Sequence, residues 1–124
     1  HHAALGINVA STVSLELAMF DRPVINVAYD PPGPQHVRVP YARYYEFDHY
    51  KPLVDEGLVE LARTPEALRD AMRALLVDPE RGAARRRAFI RGMFGDTLDG
   101  RSGERVAAEL LRIARAGDAG RTGA

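Results

Sequence analysis

Cysteine is missing from this 124-residue chain, which excludes a disulfide framework, thiolate metal sites and thiol redox chemistry, and fits an intracellular protein. An excess of either charge is missing too, since seventeen Lys and Arg balance seventeen Asp and Glu. No global field gathers nucleic acid, so a nucleic-acid partner is not expected. No apolar run approaches the roughly 20 residues that span a bilayer, and the opening "HHAALGINV" lacks the basic-then-apolar layout of a signal peptide. These absences point to a soluble, cytoplasmic chain. Lysine is reduced to one residue against sixteen arginines.

What is present is 46% hydrophobic residues, enough for one modest core, so a single small domain is expected. The chain has no initiating methionine and enters a strand-like run almost at once, which reads as a fragment. His1 and His2 are a tag remnant or native sequence and are given no metal role. No internal repeat or long low-complexity segment stands out.

Leu5 to Ala10 is an apolar run with β-branched Ile7 and Val9, suited to a buried parallel strand, with Asn8 as a mild objection. From Ser11 to Asp21, Val13, Leu17 and Phe20 fall at helical spacing and Ala18 and Met19 widen the stripe, so a helix opens at a hydroxyl cap. Pro23 stops it, and Val24 to Tyr29 is a second β-branched run. Strand, helix, strand makes a βαβ unit. "DPPGP", Asp30 to Pro34, carries three prolines and begins a long loop. "VRVPYARYYEFDHYKP" then supplies four tyrosines and a phenylalanine without a clean period; it is either a segment over a ligand cleft or a loop pinned to the core by its rings. Pro52 to Glu56 suggests a helical turn ended by Gly57, and Leu58 to Ala62 a third strand.

Thr64 as N-cap, Pro65 at the first helical position and the series Leu68, Met72, Leu75 and Leu76 mark the most secure helix. An arginine-rich helix from about Gly82 to Met93, a Gly/Asp break and a final helix from Ser102 to about Ala116 complete the chain. Residues 1–116 form the domain and 117–124 a frayed tail. Alternation of strands and helices gives an α/β class with a parallel sheet flanked by helices.

Three hydroxyl side chains between Ser11 and Ser14 fall between a strand's C-terminal end and a helix N-terminus, where α/β sheets bind ligands. One reading is an anion site. The other is that Ser11 caps the helix while Thr12 and Ser14 fill its first turn. Glu16, four residues after Thr12 on the same helix face and roughly 6 Å along the axis, matches the reach from a nucleotide's diphosphate to its ribose. It is equally an ordinary first-turn glutamate.

The run "NVASTVSLELAMFDRPVINVAYD" resembles the C-terminal nucleotide-binding half of GT-B fold enzymes, a group of nucleotide-sugar glycosyltransferases, CDP-glycerol glycerophosphotransferases and UDP-N-acetylglucosamine 2-epimerases. The shared pattern is a small or hydroxyl turn, an acidic residue, a small-residue helix and a Gly- or Asp-basic-Pro step into a strand. Here these are Ser11, Thr12 and Ser14, then Glu16, then Asp21-Arg22-Pro23. "PLVDEGLVELARTPEALRDAMRALLVDP" and "LDGRSGERVAAELL" are similar to the following strand, helix and closing helix, so the resemblance covers about residues 5 to 115. The turn lacks the glycine pair of many relatives.

The resemblance implies a Rossmann-like donor-binding domain. Ser11, Thr12 and the amides near Val13 and Ser14 would hold the diphosphate of a UDP-, CDP- or GDP-linked sugar, and Glu16 the ribose. It implies no metal and no other cofactor. The acceptor and often the base come from an N-terminal domain missing here, so the fragment binds nucleotide without turning over. The expected acceptor is a surface polysaccharide or glycolipid. A reading of another class is a non-catalytic nucleotide-binding module, in which the hydroxyls only cap.

His49 is the candidate for acid/base contact with donor or acceptor, against a structural or solvated loop histidine. Asp30 ends the second strand at the same sheet edge as Ser11 and either faces the cleft or caps a turn. Arg101 and Ser102 open the last helix, where a phosphate contact competes with simple N-capping. Arg81, Arg85, Arg86, Arg87 and Arg91 read as a solvated helix face, the alternative being attraction to anionic lipid or a polymeric acceptor at the inner membrane surface.

Overall fold

The computed structural model describes residues 2–33 and 39–121, with 117–121 as backbone only. His1, Pro34 in the proline loop, Val37 and Arg38 in the aromatic stretch, and 122–124 in the tail lie outside the described residues. The chain divides into two compact units, His1–Gly92 and Met93–Ala124.

In the first unit, β1 (Gly6–Asn8), β2 (Val24–Val27) and β3 (Glu60–Ala62) form a three-stranded parallel sheet in the order β1-β2-β3. The strands are shorter than the apolar runs that predict them, because backbone groups at their ends bond elsewhere. Ala10 N–H donates to the Tyr45 hydroxyl at 3.2 Å, and the amides of Leu58 and Val59 both donate to the Leu53 carbonyl, at 2.9 and 3.3 Å. One internal repeat exists after all: "INVA" occurs at 7–10 and again at 25–28, and the sheet register pairs Ile7 with Ile25 and Asn8 with Asn26.

Successive strand residues face opposite ways. Ile25, fully buried, packs with Ala62 against Ala71 and Leu75 of α3 (Pro65–Val77), and Leu5, Leu68 and Met72 close that core. Asn26 faces the other way, where its side chain meets Ser14 of α1 (Val13–Met19). Helices therefore flank both faces, and the fold is mixed α/β around a parallel sheet. Thr64 caps α3 as expected, its hydroxyl accepting from Ala67 N–H at 3.1 Å. Leu76 does not join the core; it is exposed, and Ala71 takes the inward position.

α1 is shorter than Ser11–Asp21 and rests on a different stripe. Thr12 is its N-cap but makes no side-chain cap bond; Ser11 Oγ accepts from Val13 N–H at 3.3 Å in a turn just ahead of the helix. The buried stripe is Ser14 and Ala18, with Leu17 over Gly6, while Val13, Met19 and Phe20 are exposed. A Cβ at Gly6 would collide with Leu17 Cδ1, so the Leu17 side chain in this rotamer packs directly over the bare glycine. At its other end α1 closes with Asp21 N–H on the Ala18 carbonyl and Arg22 N–H on the Leu17 carbonyl, the double bond of a Schellman cap. Asp21, with φ 55°, fills the left-handed position that glycine usually takes.

The aromatic stretch forms a 3-10 helix, Tyr41–Glu46, followed by the short α2 (Lys51–Asp55). After α3, α4 (Ala83–Phe94) carries the arginine run. Arg86 corrects the solvated-face expectation: it is 3% exposed, its Nε donates to Asp21 Oδ1 at 3.1 Å, and its Nη1 donates to the Arg81 carbonyl at 3.0 Å. Arg87 is exposed and reaches the other Asp21 oxygen at 2.6 Å, which together with Glu80 holds its guanidinium above the usual range.

The second unit contains α5 (Ser102–Arg121), which continues past Ala116 into the stretch read as a frayed tail. Among the described residues no helix is long and apolar enough to cross a membrane.

Candidate functional site

Parallel strands end on one edge of their sheet, and the chain leaving β1 there runs through Ala10, Ser11 and Thr12 into α1. The Tyr45 hydroxyl clamps this edge. It accepts from Ala10 N–H at 3.2 Å and donates to the Val27 carbonyl at 2.7 Å, tying the exit of β1 to the end of β2. Burial pushes the Tyr45 phenol up to about 12, because a phenolate there would lose its hydration. Tyr45 also packs edge-on to Tyr50, with ring centroids 5.5 Å apart. Of the two readings of the aromatic stretch, pinning by rings is realised at these two positions, both 5% exposed.

The stretch also walls a cavity. Ser11 and Thr12 face His49 and Tyr50 across a space of about 320 Å³, completed by Ala10, Leu15 and Leu53. His49 is exposed, and its ring lies 5.9 Å from that of Phe47. The cavity thus offers two short hydroxyls, a phenol edge and an imidazole on an apolar floor, a mixture suited to a small polar ligand. Among the described residues no group of His, Asp and Glu side chains is arranged to hold a metal ion.

Ser14 is not on this cavity. It is fully buried and its hydroxyl lies 3.2 Å from Asn26 Oδ1 and 2.8 Å from the Tyr50 hydroxyl, while Asn26 Nδ2 donates to that phenol at 2.6 Å. The proton count closes the ring one way: Tyr50 donates to Ser14, Ser14 to Asn26, and Asn26 to Tyr50. Asn8 Nδ2 adds a further bond to Ser14 Oγ at 3.2 Å. The third hydroxyl of the cluster thus locks β1, β2, α1 and the start of α2 together. The backbone amides expected for the diphosphate are also engaged, Val13 N–H with Ser11 Oγ and Ser14 N–H with the Ser11 carbonyl at 3.0 Å. An anion in the cavity would meet the side chains of Ser11 and Thr12 rather than those two amides.

The other candidates lie elsewhere. Glu16 is exposed on α1, one turn beyond Thr12, and does not line the cavity. Asp30 is exposed and spends Oδ1 on Tyr41 N–H at 2.9 Å, capping the 3-10 helix instead of facing the cavity. Arg101 and Ser102 belong to the second unit. Arg101 Nε donates to Glu104 at 2.8 Å, and Arg105 reaches the Ser102 hydroxyl at 3.4 Å.

Asn26, Tyr45 and Tyr50 are the residues that sequence reasoning passed over. The repeated "INVA" is the signal that could have found Asn26, since a polar residue recurring inside two apolar strands implies a shared buried partner. The three strands and their flanking helices define an α/β domain with a candidate site at the carboxyl edge of its sheet. No known protein family, curated protein or solved structure matches the chain.

Proposed function

We propose that this chain is the donor-binding half of a GT-B type glycosyltransferase, taking a UDP-, CDP- or GDP-linked sugar for transfer to a surface-polysaccharide or glycolipid acceptor. The observation that carries the reading is the meeting of Ser11, Thr12 and His49 around one cavity at the carboxyl edge of a parallel sheet. These residues attract attention in the sequence for separate reasons, and the two groups are 37 positions apart between Thr12 and His49.

In this reading the Ser11 and Thr12 hydroxyls donate to diphosphate oxygens. Glu16, one turn further along the same helix face, accepts from the ribose hydroxyls that extend out of the cavity. The acceptor hydroxyl attacks the anomeric carbon, the bond to the diphosphate breaks, and the nucleoside diphosphate leaves with both electrons. In this reading His49, which lines the same cavity, exchanges the acceptor's proton. Acceptor binding falls to a second domain, so the chain alone binds without transferring.

A second reading, a nucleotide-binding module without chemistry, is favoured by the internal use of the Val13 and Ser14 amides. Calorimetry with UDP, CDP, GDP and ADP tests both. Selective binding of one nucleotide, weakened at least about fivefold by Thr12→Val and by Glu16→Ala, is the expected result, and a preference for CDP would turn the assignment toward glycerol-phosphate transfer. A folded protein that binds none of the four would sink both readings.

A further inference from the structure

The opposite edge of the sheet, where β2 and β3 begin, holds a larger cavity of about 530 Å³. Val24, Leu58, Val59 and Leu75 form its apolar floor, and Glu60, Glu80, Arg81, Arg85 and Arg86 supply its charges. The charges sort by partner. Arg86 is committed to Asp21 at 3.1 Å, and Glu80 to Arg87 at 2.9 Å. Arg81 meets Glu60 only at 3.5 Å, with side chains 52% and 36% exposed. Arg85 has no carboxylate partner among the described residues. Its side chain lies across Gly57, where an added Cβ would stand 3.5 Å from both its Cδ and Nη1. Gly57 has φ 70°, so the turn into β3 keeps a bare backbone under the guanidinium.

An apolar floor beside an arginine with no carboxylate partner, with a second arginine in a long and solvated pair, is complementary to a molecule with an apolar body and an anionic end. Two separate guanidinium forks suit the three terminal oxygens of a phosphate better than the two of a carboxylate. The volume falls within the range of small-molecule sites, roughly 300 to 1,000 Å³. We propose that this cavity is a second binding site and that it takes a small phosphate monoester, its phosphate between Arg85 and Arg81 and its apolar part over Leu58 and Val59. The site is built from residues that the carboxyl-edge cavity does not use, so it stands or falls independently of the donor-site reading.

Titration of the full chain with phenyl phosphate, followed by amide NMR and calorimetry, tests this. The expected shifts cluster at Gly57, Leu58, Arg81 and Arg85, with phenyl phosphate binding several-fold more tightly than inorganic phosphate. Arg85→Gln should raise Kd about tenfold or more, the scale of a lost charge-assisted pair, while Thr12→Val leaves Kd unchanged. Arg85 is exposed, and the variant's own amide spectrum reports whether it folds. No binding, equal affinity in Arg85→Gln, shifts centred on Ser11 and His49, or equally tight binding of benzoate would each overturn the proposal.

Discussion

At the residue scale, the ring of Ser14, Asn26 and Tyr50 decides what the hydroxyl cluster is for. A buried polar group costs little when every donor and acceptor is matched and about 1–3 kcal/mol when a partner is removed. Asn26→Val strands Ser14 and Tyr50 together, so it should lower stability by about 2–3 kcal/mol in urea unfolding. Asn8→Val should stay within about 1 kcal/mol, because Asn8 gives this network one bond and its own Oδ1 is buried without a partner. Equal losses in the two variants would mean that the ring does not act as a unit. Tyr45 makes a second residue-level prediction through pH. Its phenol is held at about 12 in the folded chain against an ordinary value of 10.0. Below pH 10 the proton is on in both states and the contribution is complete. As pH rises from 10 toward 12 the unfolded chain gives up that proton while the folded chain keeps it, so stability falls. The loss should reach roughly 2 kcal/mol. Tyr45→Phe should be less stable at neutral pH by about 1–3 kcal/mol and should show a flatter decline above pH 10.

At the scale of elements, α1 is fixed at both ends by groups from outside it. Its entrance is clamped by Tyr45 and its exit by Asp21, which closes the Schellman turn and holds Arg86 of α4 across 65 residues of sequence. The left-handed conformation costs a non-glycine residue about 1 kcal/mol, and the arginine contacts offset it. Asp21→Ala would keep that strain and leave a charge buried without its partner, so a loss of about 3–5 kcal/mol is expected. Asp21→Gly should recover about 1 kcal/mol of it by relieving the backbone. Adding Arg86→Met to Asp21→Gly should restore most of the remainder, since no charge is then stranded. Urea midpoints for the three variants give the order directly. If Asp21→Gly is no better than Asp21→Ala, the turn is not strained by its side chain.

At the scale of the whole molecule, the alternation of apolar runs with capped amphipathic segments makes the α/β class legible, and the Thr64-Pro65 start of α3 is readable almost to the residue. Proline and glycine mark most breaks. Contacts between distant segments are not legible, and they account for the errors. Arg86 reads as solvated because Asp21 is 65 positions away, and Ser14 reads as a ligand contact because Asn26 and Tyr50 are invisible as its partners. The candidate site is half legible: Ser11, Thr12 and His49 stand out in sequence, but their common cavity depends on the aromatic pins at Tyr45 and Tyr50. Net charge is a whole-molecule property that needs no contacts. Formal charge is zero at pH 7, so little electrostatic repulsion keeps copies apart. α5 meanwhile leaves Val106, Leu110, Leu111 and Ile113 more than half exposed, at 59%, 63%, 56% and 54%. Solubility in low salt should therefore pass through a minimum near neutral pH, where the formal charge is zero, and rise as the pH is moved away from it. Leu110→Glu should raise the neutral-pH solubility by adding a charge and interrupting the apolar face, with a stability change within about 0.5 kcal/mol. Leu75→Glu, on the core face of α3 and 4% exposed, adds the same charge and should unfold the protein. Soluble protein remaining after concentration, read beside the urea midpoint, separates the two cases. A midpoint for Leu110→Glu displaced as far as a core substitution would mean that the face of α5 is covered.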